Sequence, residues 1–411
     1  MRRRIFGIVM LTVLIISGCS TGLLSENLMN GIKKKEVIEV EDLDSDSVAV
    51  TDFGVRLFQA SHKNGENTLL SPLSVMTALA MTANGAKENT LSQMESVLGM
   101  KTDKLNAYLY SYTKALPQGE KYKLSLANSI WFTDHERFTV NEEFLQLNAD
   151  YYGADVYRAP FNHSTVKDIN NWVNDNTDGM IPKIIDEIPK GAVMYLANAL
   201  AFDAEWAKMY EKYQVDEGVF TLENQEEQTV DFMYSQEGIY LEDKLATGFV
   251  KYYYDYKYAF VALLPKKGTS VSDYVNNLTG EQVHTMLANR QETTVKTAIP
   301  KFESEYSVEM SDILSEMGMT DAFDEKKANF TGLGTSTAGN IFINRVLHQT
   351  YISVGEKGTK AGAVTIVETN DTASPDIQEP KKVYLDRPFV YMLIDCETNI
   401  PFFIGTMMDM E

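Results

Sequence analysis

The sequence predicts a single α+β domain built on a large central β-sheet. Three observations carry that prediction. Helical patterning dominates the first part of the chain and strand patterning the last. About 360 residues follow the N-terminal segment without a Pro/Gly/Ser-rich linker or an internal repeat, so nothing divides them into units. Near the C-terminus, a 28-residue connection, Gly355–Lys382, joins two strand-like runs. Connections are commonly about 4–6 residues long, and such excess marks a functional loop or a disordered one.

In chain order, Met1-Arg2-Arg3-Arg4 and the apolar Ile5–Ile16 form a basic head and a core too short to span a membrane. This is the pattern of a secretion signal. Ile16-Ser17-Gly18-Cys19 resembles a bacterial lipobox, with cleavage before Cys19 and acylation of its sulfur. The alternative is an ordinary signal peptide that contains a cysteine. The lipobox reading makes 1–18 a signal peptide and 19–47 a flexible tether rich in charge, and places the chain as an exported lipoprotein at a cell membrane or envelope surface. Loss of Arg2, Arg3 and Arg4 moves the formal charge from −21 to −24, which excludes the basic footprint of a nucleic-acid binder.

Residues 48–411 form the expected domain. Phe53, Leu57, Phe58 and Ala60 share a helical face. Ser71-Pro72 reads as a helix cap and first-turn proline before the small, apolar helix Val75–Asn84. A further helix is expected at Thr90–Leu98, a strand at Tyr122–Trp131, and helices at Asn141–Tyr151 and Val166–Thr177. Gly191–Phe202 reads as a buried strand. Strands then follow at Gln228–Phe232, Gly248–Tyr254, Tyr258–Leu264 and Thr293–Phe302, with one more helix at Tyr306–Met317. Asn340–Val354 and Val383–Gly405 are the strand regions that flank the long connection.

The connection is uneven. Thr359–Val367 holds only small or β-branched residues apart from Lys360, whereas Glu368–Pro380 is polar and acidic. A bare linker has no need of Ala361, Gly362, Ala363, Val364 and Thr365 together. Such residues suit a strand that must slide between neighbours.

Glu356-Lys357-Gly358-Thr359-Lys360-Ala361-Gly362-Ala363 resembles the proximal hinge of the reactive-centre loop in the serpins, the serine-protease-inhibitor superfamily. Other segments resemble that family in order: Leu69–Ser74, Leu126–Trp131, Phe161–Pro182, Leu196–Phe202 with Trp206, Pro300-Lys301-Phe302, Met317-Gly318-Met319, Ala322-Phe323 and Arg387-Pro388-Phe389. Each piece is weak alone, and their order and spacing are strong. Asp203-Ala204 depart from the lysine and glycine usual there. The resemblance implies one domain with a large central sheet, additional sheets, about nine helices and an exposed loop.

It also implies roles. The loop is bait: a protease cleaves it and is trapped as an acyl-enzyme while the cleaved loop enters the main sheet as an extra strand. Ser71, Ser74, Asn198 and His348 match a hydrogen-bonded cluster where two strands part. His348 is equally readable as a satisfied core residue, and the two readings agree. Trp206, Lys301 and Glu356 match a cluster at the top of the opening, the alternative for the latter two being unrelated surface charges. Glu356, Gly358, Thr359, Ala361, Gly362 and Ala363 form the hinge. Lys360 is its one bulky charged residue, and alternation turns it outward.

The usual family distance from Glu356, seventeen residues including it, ends at Thr372, so the resemblance implies Thr372–Ala373 as the reactive bond. Counting back from Arg387-Pro388-Phe389 lands near Ile377 instead, so the bond is bracketed by Glu368–Ile377. No Arg or Lys lies between Ala361 and Pro380, which points to a target protease that prefers small or apolar primary residues.

Metal and cofactor chemistry are not called for. The five histidines belong to no H-E-x-x-H or other spaced metal cluster, and only Cys19 and Cys396 are cysteines. Cys396, in an apolar run, reads as an inert core thiol or, less simply, a catalytic one. No G-x-S-x-G elbow supports an enzyme. A serpin-fold surface binding module without trapping is the alternative to an inhibitor.

Overall fold

The computed structural model of the chain describes residues 24–134, 138–189, 191–337, 339–359 and 380–410. Nine helices lie among the described residues: α1 (Asp44–Ser61), α2 (Pro72–Ala83), α3 (Glu88–Leu98), α4 (Thr102–Ala115), α5 (Glu142–Tyr152), α6 (His163–Asn176), α7 (Val271–Asn277), α8 (Gly280–Ala288) and α9 (Ser311–Glu316). The first large sheet has seven strands. Their order is β1 (Glu26–Asn27), β5 (Asp155–Ala159), β3 (Tyr122–Thr133), β6 (Met194–Glu205), β15 (Gly358–Thr359), β14 (Arg345–Gly355) and β12 (Phe302–Glu309). The second runs β16 (Lys381–Tyr384), β11 (Gln291–Pro300), β8 (Glu227–Glu242), β9 (Ala246–Tyr252), β10 (Tyr258–Pro265), β17 (Phe389–Asp395), β18 (Pro401–Met407) and β2 (Thr68–Leu70), with β7 (Val215–Thr221) on β8. Strands β4 (Phe138–Val140) and β13 (Gly334–Ser336) pair separately.

Two layers of side chains sandwich the first sheet, set by strand alternation. Leu196, Leu200 and Phe202 of β6 join the main core on the α2 side. Tyr195 and Ala197 face the other way, into a smaller cluster with Ile169, Trp172 and Val173 of α6. Trp131 stacks on Tyr157 there, with ring centroids 4.3 Å apart. Helix α2 is mainly apolar, its only polar side chains are Ser74, Thr77 and Thr82, and every residue of it is buried, which is why it sits beneath the sheet rather than on the surface. Ser71 caps it by accepting from the Ser74 amide at 3.4 Å, and Pro72 occupies the first turn where no amide hydrogen is needed.

The structure departs from the sequence expectations in three places. Residues 306–309, expected as helix, continue β12. Tyr306 and Val308 pair with Thr350 and His348, and the helix is confined to Ser311–Glu316. Helices α4, α7 and α8 were not anticipated: α4 carries the helical spacing in Leu105, Tyr108, Leu109 and Tyr112, a signal that was passed over, whereas α7 and α8 are too short for a clear period. The expected flexible tether is docked from residue 24 onward. Glu26–Asn27 pair with β5, Ser25 donates to Asp168 at 2.6 Å, and the Lys35 and Val40 amides donate to Asp150 and Ser111. Leu28, Met29, Ile32 and Leu43 supply the apolar contacts that make this attachment favourable.

Candidate functional site

The first sheet changes character between β6 and β14. These strands run parallel and pair directly at one end only, from Arg345↔Tyr195 to His348↔Asn198. At the other end the short strand β15 lies between them, antiparallel to both: Thr359 faces Val354 on one side and Ala204 on the other, and Gly358 faces Gly355 and Glu205. Gly358 and Thr359 therefore form a short added strand between β6 and β14. Gly358 is required here by close approach, since a Cβ would collide with the Ala204 carbonyl.

A clamp from residues 206–210 holds the turn before β15. The Trp206 amide donates to the Lys357 carbonyl at 2.8 Å, its indole Nε1 to the Gly355 carbonyl at 2.8 Å, and the Tyr210 amide to the Glu356 carbonyl at 2.9 Å. Trp206 stacks on Tyr253, with centroids 4.3 Å apart, and the Tyr253 and Thr359 hydroxyls share a 2.5 Å hydrogen bond. Thr359 is 1 % exposed, so the hinge is seated rather than draped. Lys301 reaches Glu356 at 2.9 Å and Asp231 at 3.5 Å. The Lys301 hydrogen bond holds the Glu356 carboxyl below its usual range, and the same bond raises the lysine. The pair is about one-third exposed on both sides, so solvent screening keeps its contribution small.

The second cluster lies where β6 and β14 still touch. The Ser71 amide donates to His348 Nε2 at 3.1 Å, and the Thr350 hydroxyl donates to the Leu69 carbonyl at 2.7 Å. Ser71, Ser74 and His348 are thus brought together at the start of α2, all buried. The backbone of Asn198 joins them by pairing with His348, while its side chain lies outside the described residues. His348 Nδ1 has no hydrogen-bond partner among the described residues. Burial pushes the imidazole down to about 3, so it is neutral at physiological pH.

Of the predicted site residues, Glu356, Gly358, Thr359, Trp206, Lys301, Ser71, Ser74 and His348 occupy these two clusters. Ala361, Gly362, Ala363, Thr372, Ala373 and Cys19 lie outside the described residues. Sequence reasoning missed Tyr210, Tyr253 and Thr350, whose aromatic and β-branched side chains read as ordinary strand residues. Cys396 is half-buried, and burial pushes its thiol up to about 12, which removes the thiolate a nucleophile needs.

Comparison with known proteins agrees with this geometry. The family model for Serpin (serine protease inhibitor) matches residues 48–410. The leukocyte elastase inhibitor of Xenopus laevis is 28% identical over 376 residues, covering 87% of this chain and 98% of that protein. The crystal structure of a thermophilic serpin, Tengpin, in the native state is similar with a TM-score of 0.90 and 48% identity, covering 94% of this chain and 99% of that one. The latent state of Tengpin gives a TM-score of 0.80 and 45% identity, over 92% and 100% of the two chains.

The histidine makes a pH prediction. Its native value lies below the ordinary one near 6.5, so the unfolded chain binds a proton first as pH falls. This contribution to native stability is complete above pH 6.5 and is lost progressively towards pH 3, by about 2 kcal/mol at pH 5. Urea midpoints measured from pH 8 to pH 4 should fall more steeply for the wild type than for His348→Gln. Parallel pH profiles would contradict the assignment.

Proposed function

The chain belongs to the serpin family, and we propose that it inhibits a protease by acting as a suicide substrate. The observation that carries this reading is the placement of β15. A strand that continues beyond Thr359 enters between two parallel neighbours and is antiparallel to both, so insertion replaces the β6–β14 parallel contact with two antiparallel ladders, which are slightly more stable per residue.

Continuing the register of β15 sets Ala361 between Ile352 and Phe202, Ala363 between Thr350 and Leu200, Thr365 between His348 and Asn198, and Val367 between Val346 and Leu196. These positions face the α2 side, where Ile352, Thr350, His348 and Val346 are already buried. The residues that would enter are Ala, Ala, Thr and Val, which need little room. Lys360 takes the opposite face, and Glu368 comes opposite Arg345, a favourable cross-strand pair of charges.

The chemistry is the protease's own. Its nucleophile attacks the carbonyl of the bait residue, Thr372 by the hinge count, forming an ester and releasing the new amine at Ala373. Hydrolysis then competes with insertion. A metastable native state, held back by a barrier to strand insertion, supplies the driving force, and the chain itself acts as inhibitor rather than enzyme. The absence of Arg and Lys from Ala361–Pro380 favours an elastase-like or subtilisin-like target. Acylation at Cys19 would tether the inhibitor to a membrane. The sequence Ile16–Cys19 supports that tether, and Cys19→Ser should move the protein from the membrane fraction to the soluble one. Unchanged fractionation would remove it.

Incubation with an elastase-like protease should give a covalent complex at the summed mass, with one nick within Glu368–Ile377. Ala363→Arg places a long charged side chain between Thr350 and Leu200. It should still be cleaved but should trap at least tenfold less protease, on the scale of the cost of burying an unpaired charge. Cleavage of the wild type without trapping would assign the chain to a serpin-fold binding module instead.

A further inference from the structure

The strongest unassigned feature is a buried ion pair behind the clamp. Lys251 of β9 is 1 % exposed, and its ammonium lies 2.9 Å from Glu237 of β8. The same ammonium donates to the Lys208 carbonyl at 3.3 Å and sits over two rings, 5.3 Å from the Trp206 centroid and 4.3 Å from that of Tyr210. Three of its four contacts therefore fall on segment 206–210. That segment donates in turn to the consecutive carbonyls of Gly355, Glu356 and Lys357.

Stability alone does not explain such a pair. Two buried charges recover their desolvation cost poorly, and apolar replacements of similar volume are often neutral or stabilising. Burial does remove solvent screening, which weakens the exposed Lys301–Glu356 contact at the same hinge. Burial opposes the charge on Lys251, yet Tyr210 and Glu237 outweigh it and hold the lysine above its ordinary value, so the ammonium is a permanent fixture. Glu237 also accepts from Ser235 at 2.6 Å, and Ser235 shares a 2.9 Å bond with Thr297, which fixes the carboxylate to the second sheet.

We propose that Lys251 and Glu237 are positioning residues that hold the segment following β6 against the second sheet, and so keep the loop beyond Thr359 from advancing further between β6 and β14 before cleavage. The ammonium pins both aromatic members of the clamp to the second sheet, and the clamp pins the hinge. The inference rests on the inhibitory reading, because it assigns these two residues the time for which the uncut inhibitor stays active.

The test follows the uncleaved full chain during warm incubation. Two quantities are read from each sample: covalent complex formed with an elastase-like protease, and the fraction running as a urea-resistant, loop-inserted band on native gels. The charge-free swap Lys251→Met with Glu237→Gln should begin at the wild-type stoichiometry and then lose trapping roughly tenfold faster, as expected for the loss of two buried cation–π contacts and an ion pair. The urea-resistant band should appear at the matching rate. Glu237→Gln alone leaves the ammonium buried over the rings without its counter-charge and should accelerate conversion at least as much as the swap, which gives a second reading if the swap does not fold. Ile239→Val, a buried truncation in the same sheet, controls for general loosening. Conversion of the Lys251 and Glu237 variants at the wild-type rate, or equal acceleration by Ile239→Val, would overturn the proposal. A wild type that traps no protease would instead count against the inhibitory reading, and the native-gel rates would still decide the role of Lys251.

Discussion

The short parallel contact between β6 and β14 is the constraint on which the remaining structure depends. Four residue pairs, Arg345–His348 against Tyr195–Asn198, hold the two strands together at one end. At the other end Gly358 and Thr359 already keep them apart. The sheet is thus zipped at one end and wedged at the other. Each cluster described above acts on one of these ends. His348, Ser71 and Thr350 tie the zipped end to the start of α2, and Trp206, Tyr210, Tyr253 and Lys301 hold the wedge.

The surrounding architecture serves the same boundary. Helix α2 lies fully buried beneath the sheet, and the strand proposed to enter above it would bring only alanine, threonine and valine to that face. The second sheet contributes β8 and β9, whose Glu237 and Lys251 stand behind the clamp. A charge pair that adds little to equilibrium stability can still govern a rate, because rate depends on what must be broken before the strands part. The exposed and buried lysines at the hinge illustrate the difference. Lys301 is visible to solvent and screened, whereas Lys251 is not.

Much of this was legible in the sequence. The small-residue run after Glu356, the capping Ser71-Pro72 and the lone histidine in an apolar strand all announced themselves, because each breaks a local pattern. The family resemblance then placed Lys301 beside Glu356, as the structure does. Lys251 was not legible. In Val250-Lys251-Tyr252 a lysine between apolar neighbours reads as the solvent face of a strand, yet β9 is covered on both faces and the lysine is buried. Tyr306–Glu309 were misread because Tyr306 and Val308 fit both a helical and an alternating pattern over so short a stretch, and pairing with β14 decided between them. The docking of residues 24–43 was invisible for a related reason. It depends on backbone hydrogen bonds to Asp150, Val156 and Asp168, which composition does not reveal.

Strand insertion between β6 and β14 is the central claim, and a distance across the sheet tests it most directly. Spin labels on cysteines introduced at Ser125 of β3 and Ser307 of β12, in a chain with Cys19 and Cys396 replaced, report the width of the sheet on either side of the boundary. Cleavage within Glu368–Ile377 should lengthen that distance by about one strand spacing, roughly 4.8 Å, as the loop adds a strand between them. An unchanged distance after complete cleavage would contradict the account.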